Sequence, residues 1–204
     1  MKLIAENIGY ERNFQNLFAN VNFELKKKEC IIIRGANGCG KSTLLRILAG
    51  LIRPITGNIF WNDKSIIEDK DYQHEIHYLG HQNGVKPYLT VEENIHLNST
   101  LAGFKILNID TLLQTLNLLS VRNKKSQYLS AGQLRRLAFA KIMAFPRKLW
   151  ILDEPTTALD TEGQRLFDDM LQSHLSHDGM AIITSHMNEI SDTHKTLILG
   201  DNNV

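Results

Sequence analysis

The run Gly35-Ala36-Asn37-Gly38-Cys39-Gly40-Lys41-Ser42 leaves this chain few folds to choose from. It fits G-x-x-x-x-G-K-S at every fixed position. Ahead of it stands Cys30-Ile31-Ile32-Ile33, a short apolar run that reads as a buried strand. Behind it, residues 42–49 read as a helix, with Gly50 as its stop. A strand, a glycine-rich turn and a helix aim backbone N–H groups and the positive end of a helix dipole at one point, which suits phosphate. Gly35, Gly38 and Gly40 permit close approach and unusual dihedrals. Ala36, Asn37, Cys39 and Thr43 complete the lining expected around a nucleoside triphosphate such as ATP. Lys41 is expected at the β- and γ-phosphates, and Ser42 is expected to give its hydroxyl oxygen to Mg²⁺. A chance glycine-rich turn would need no strand and helix beside it.

A second signal is Lys148-Leu149-Trp150-Ile151-Leu152-Asp153-Glu154, an apolar strand ending in two carboxylates. In a parallel sheet that end is where ligands bind. Alternation places the two acids on opposite faces, so they can hold different tasks. Asp153 suits Mg²⁺, directly or through its waters, and Glu154 suits polarising the attacking water.

Between these motifs lies Leu129-Ser130-Ala131-Gly132-Gln133. Ser130 with Gln133 forms a capping box, S-x-x-Q, for a helix continuing through Phe139 and Ala140. That helix start is a second anion site, although taken alone the segment reads as an ordinary capped helix.

The ordered motifs resemble the ATP-binding-cassette (ABC) ATPases, nearly from end to end. Gln82 stands at that family's Q-loop glutamine, where the resemblance implies a link between Mg²⁺, water and a partner surface. Ser130, Ala131, Gly132 and Gln133 resemble the signature, with Ala131 in place of one glycine. Ala158-Leu159-Asp160 resembles the D-loop, and His186 the switch histidine, which implies a catalytic role. The resemblance implies a head-to-tail homodimer in which Ser130 and Gly132 of one subunit cap ATP held by the other. It places Arg12 where most members stack an aromatic on adenine; a guanidinium can also stack on a purine. The implied fold is α/β, a phosphate-loop NTPase core with an N-terminal antiparallel β region, in a single domain over 1–204.

Finer details resemble one branch, the ATPases of bacterial cytochrome c maturation, or haem export. They are Tyr78-Leu79-Gly80-His81-Gln82 with Gly84, Leu89-Thr90-Val91-Glu92-Glu93-Asn94, the LSAGQ variant followed by Arg135-Arg136, and Trp150-Ile151-Leu152 before the acids. This implies membrane permease subunits as partners and a peripheral place on the cytoplasmic face of the inner membrane. It also implies ATP hydrolysis that releases a haem-loaded chaperone, with no direct haem contact by this chain. Other readings are the ATPase of a drug, lipid or polysaccharide exporter, or a soluble cassette ATPase acting on ribosomes or DNA.

Composition narrows the field. A formal net charge of +1 over 204 residues gives no basic coat, so no nucleic-acid partner is expected. No apolar stretch approaches the roughly 18–20 residues of a membrane span, and Lys2 with Glu6 does not read as a secretory leader. Cys30 and Cys39 are expected as reduced thiols.

Along the chain, residues 1–28 alternate as short strands, with Val21, Phe23 and Leu25 on one face. Strand patterns follow at 57–61 and 76–79. Residues 84–147 then read as an inserted helical lobe, opened by the capping box Thr90-Val91-Glu92-Glu93 and continued by helical spacing from Ile109 to Leu119. Strands return at 149–152, 180–184 and 196–199. His74, His77 and His81 read as ordinary strand and loop histidines, His174 and His177 as a solvated helix face, and Lys26-Lys27-Lys28 as a solvated turn.

Overall fold

In a computed structural model that describes residues 1–185 and 194–200, the chain begins with β1 (Lys2–Arg12), β2 (Gln15–Lys26), β3 (Cys30–Arg34), α1 (Lys41–Leu48), β4 (Thr56–Trp61), β5 (Lys64–Ser65), α2 (Tyr72–Glu75) and β6 (Ile76–Leu79). It continues with α3 (Val91–Ala102), α4 (Ile109–Thr115), α5 (Ala131–Ala144), β7 (Leu149–Asp153), α6 (Thr161–Ser176), β8 (Met180–Thr184) and β9 (Lys195–Ile198). Two units result. Met1–His81, Lys148–Pro155 and Leu171–Val204 form the first, and Gln82–Arg147 with Thr156–Met170 form the second.

The first unit holds an all-parallel sheet of order β6-β7-β8-β3-β9 and an antiparallel sheet of order β2-β1-β4-β5. Strands β3, β7 and β8 are central and buried along almost their whole length, which explains their uninterrupted Ile and Leu runs. Leu44, Leu45, Ile47 and Leu48 of α1 join Leu3 and Trp61 of the antiparallel sheet and Ile31, Ile151 and Ile182 of the parallel one in a single core. Truncating any one of these to alanine costs about 2–5 kcal/mol.

Residues 1–28 do not make several short strands. They make two long ones, paired from Lys2↔Lys26 to Arg12↔Gln15. Register shifts between Ala5 and Ile8, and again around Tyr10, insert bulges, and Asn7 at φ 52° lies in the first of them. Each bulge resets the alternation, so the pattern reads as broken where the strand is continuous. The expected face is present: Val21 and Leu25 are buried and Phe23 half-buried, while Asn22 and Glu24 are exposed.

In the second unit, α3 opens on a complete capping box. Thr90 Oγ1 accepts the Glu93 N–H at 3.2 Å, and Glu93 Oε2 accepts the Thr90 N–H at 2.7 Å. One turn in, buried Asn94 accepts the Lys86 N–H at 2.7 Å and donates to the Ser126 hydroxyl at 2.9 Å, which pins the 86–90 segment. Arg122 pairs with Glu92 and, at 2.7 Å, with Asp110. The helical spacing from Ile109 ends early: α4 stops at Thr115, and Asn117 at φ 52° turns the chain out of the helix. Helix α5 buries Leu137, Phe139 and Ile142, and Phe139 packs on Phe167 of α6 at 5.6 Å between centroids.

Candidate functional site

The loop between β3 and α1 is shaped by what its glycines leave out. Gly40 precedes α1 at φ 101°, and a Cβ there would lie 2.8 Å from the Phe18 ring. At Gly35 a Cβ would lie 2.2 Å from the Leu199 carbonyl oxygen. Larger residues at either position would displace β2 or the chain after β9. The loop is thus clamped from β2 on one side and from the chain after β9 on the other. Lys41 begins the helix, one residue before the expected start. Lys41 is 7% exposed, and its ammonium donates to the Gly35 carbonyl at 2.8 Å and the Ala36 carbonyl at 3.0 Å. A buried ammonium needs such acceptors, and phosphate oxygens are stronger ones. Ser42 and Thr43 follow in the first turn of α1, and Cys39 donates its N–H to Ala36. Asn37 and Gly38 sit in the turn, with open space where a Gly38 side chain would stand. Cys39 and Cys30 are both free thiols; burial pushes the Cys30 thiol up to about 12.

At the end of β7, Asp153 is 2% exposed. Thr184, at the end of β8 and fully buried, is its register partner. The Thr184 hydroxyl donates to Asp153 Oδ1 at 2.7 Å and accepts the Glu154 N–H at 2.8 Å. Glu154 is no longer in the strand. At φ 46° it occupies the left-handed region, where non-glycine residues are uncommon. The two acids are therefore separated by a turn of the backbone and not by strand alternation. Such strain clusters at functional sites. Thr184 was not visible as a site residue in the sequence, because its partner lies in another strand; a threonine closing an apolar strand was its only signal.

In the second unit, Ser130 Oγ accepts the Gln133 N–H at 3.2 Å and Gln133 Oε1 accepts the Ser130 N–H at 3.1 Å, the expected capping box. Because the Ser130 hydroxyl acts as acceptor there, its proton stays available for a further bond. Ala131 and Gly132 form the first turn of α5. Gln82 opens this unit, and its neighbour Asn83 accepts Arg135 Nη1 at 2.9 Å.

Arg12 is exposed and closes the β1–β2 hairpin opposite Gln15, while Tyr10 turns to stack on Phe18 at 6.4 Å. His186 lies outside the described residues. His174 departs from the expected solvated face: it stacks on Trp150 at 3.9 Å and 8° and bonds the Met180 carbonyl at 3.0 Å. Its burial lowers its pKa below the usual value. Among the described residues, no helix is long and apolar enough to cross a membrane.

Asp153, buried at the end of β7 with the Thr184 hydroxyl on Oδ1, and Ser42, in the first turn of α1, are oxygen donors of the kind Mg²⁺ takes.

The chain is similar to known proteins along most of its length. The family model described as ABC transporter matches residues 18–157. The chain is 39% identical over 190 residues to the "Cytochrome c biogenesis ATP-binding export protein CcmA" of Rhizobium etli, covering 91% of this chain and 88% of that one. It is 40% identical over 202 residues to the protein of the same name from Haemophilus ducreyi, covering 97% and 96%. Among solved structures, an ATP-binding subunit of an ABC transporter superposes with a TM-score of 0.87 at 20% identity, over 98% of this chain and 86% of that one. A dimeric ATP-binding cassette in a post-hydrolysis state, bound to ADP and phosphate, superposes with a TM-score of 0.83 at 23% identity, over 98% and 94%. These last two bear on the fold.

Proposed function

The chain belongs to the ABC transporter family, and from that premise we propose that it is the ATP-hydrolysing subunit of a membrane complex serving cytochrome c biogenesis, in which hydrolysis drives release of a haem-loaded chaperone. The cargo reading rests on the relatives named for that process, which match along at least nine-tenths of this chain. One observation supports the chemistry: buried Thr184 holds Asp153 while drawing the Glu154 backbone into a left-handed turn.

ATP binds the 35–43 loop. Lys41 exchanges its two carbonyl acceptors for β- and γ-phosphate oxygens, and the N–H groups of α1 meet the remaining phosphate charge. Ser42, Gln82 and Asp153 would hold Mg²⁺, which would supply charge neutralisation for the phosphates. Glu154 orients and polarises the attacking water, and His186 assists at the γ-phosphate. Arg12 lies against the base. A second subunit completes each site: Ser130 of the partner subunit turns its hydroxyl proton to the γ-phosphate, with the Ala131 and Gly132 N–H groups behind it and Gln133 holding Ser130 through the capping box. The complex holds two copies of this chain under cytochrome c maturation permease subunits. This places the chain peripherally on the cytoplasmic face of the inner membrane, with neither haem nor nucleic acid in contact with it.

Glu154→Gln tests this reading. It is expected to bind ATP as the wild type does and to lose nearly all turnover in a phosphate-release assay. Turnover within a few-fold of wild type would overturn the assignment. In cells, a deletion strain is expected to lack c-type cytochromes, and normal levels would exclude the cargo reading.

A further inference from the structure

Helix α5 carries two consecutive arginines, Arg135 and Arg136, exposed by only 4% and 7%. Neighbours on a helix point about 100° apart, so the two serve different surroundings. Arg135 reaches Asn83. Arg136 donates from Nη2 to Asp160 Oδ1 at 2.5 Å, with the Glu162 carboxylate 3.6 Å away. The same Asp160 oxygen accepts the Gly163 N–H at 2.9 Å, so the carboxylate is held from both sides. One turn before Arg136, on the same helix face, stands Gly132. A Cβ there would lie 3.0 Å from the Ala158 carbonyl oxygen. Ala158 itself is at φ 66°. One face of the signature helix is therefore held to the 158–160 turn at two points, a close backbone approach at Gly132 and an ion pair at Arg136. That turn follows Glu154 by a few residues in the chain.

An exposed ion pair of this kind would contribute little. This one is asymmetric: the arginine side chain is 9% exposed and the aspartate 65%. The guanidinium is committed to the packing, while the carboxylate sits on a turn at the surface. Resting on the reading that Ser130 meets the neighbouring subunit's nucleotide and Glu154 orients water, we propose that Arg136 is a positioning residue for hydrolysis. Through Asp160 it makes the signature helix and the turn after Glu154 move together, so that engagement of nucleotide by Ser130 sets the segment that carries Glu154. A mere fold staple would act on stability alone.

The test uses the full chain and two variants, Arg136→Met and Asp160→Asn. ATP affinity by titration, KM, kcat and thermal midpoint are measured for each. Asp160→Asn keeps the shape of the turn and stays readable if Arg136→Met fails to fold. The inference predicts a kcat reduced by about tenfold or more in both, with ATP affinity and KM unchanged and the midpoint of Asp160→Asn near wild type. The double variant is expected to be no slower than Arg136→Met. Wild-type kcat in Asp160→Asn overturns the inference, as does a loss of kcat that merely follows a loss of ATP affinity. If the wild type hydrolyses ATP and Glu154→Gln abolishes it while Asp160→Asn does not, this inference alone fails. A wild type without turnover would remove both it and the function on which it rests.

Discussion

Thr184 gives each acid its own setting with one hydroxyl. As donor it fixes a carboxylate oxygen of Asp153; as acceptor it takes the Glu154 N–H and so holds that residue out of the strand. Valine has the same shape and neither function. Thr184→Val leaves a buried carboxylate short of a donor and a backbone N–H without its acceptor, at a cost of about 1–3 kcal/mol each. Because the loss falls on the placement of Asp153 and Glu154 and not on the phosphate loop, ATP affinity is expected to hold while kcat falls by up to about 100-fold. Parallel measurement of both decides it, and equal kcat in the variant would contradict the role. This residue shows where sequence reading stops. Lys41 and Asp153 announce themselves by local motif, because a glycine-rich turn and a strand end are local chemistry. Thr184 gains its meaning only from the β7–β8 register, which pairs it with Asp153.

Elements were legible in proportion to how local their causes are. The three buried strands read correctly from apolar runs, and α3 and α5 from capping boxes whose bonds are present. The long N-terminal strands and the short α4 read wrongly at their bounds, because Asn7 and Asn117 adopt left-handed backbone that composition does not mark. His174 read wrongly because its partner, Trp150, comes from β7. That contact makes a prediction for α6. Burial disfavours the protonated ring, outweighing the Met180 carbonyl bond that favours it, so the folded pKa lies below the unfolded value of about 6.5. The unfolded chain then binds the proton more readily. Stability from this group is complete above about pH 6.5 and declines as pH falls towards the folded value. Urea midpoints at successive pH values should fall less steeply in His174→Phe, which keeps an aromatic ring over Trp150. Equal slopes would show that His174 does not titrate this way.

At the scale of the whole molecule, the phosphate loop and the signature helix belong to separate compact units, and each presents a helix N-terminus suited to anions. The proposed function gives a reason for one chain to carry both: on that proposal each is half of a site, and two copies complete two sites. This claim is tested most directly by mixing two inactive variants. Lys41→Ala removes the charge from the phosphate loop. Ser130→Arg places bulk and positive charge at the signature helix start. Each alone is expected to hydrolyse little ATP. A mixed pair contains one site with both faults and one intact site, made of Lys41 from one chain and Ser130 from the other. The account predicts hydrolysis in the mixture above the sum of the two variants measured separately. A mixture that stays at that sum, or a Ser130→Arg chain that hydrolyses ATP at the wild-type rate alone, would contradict it.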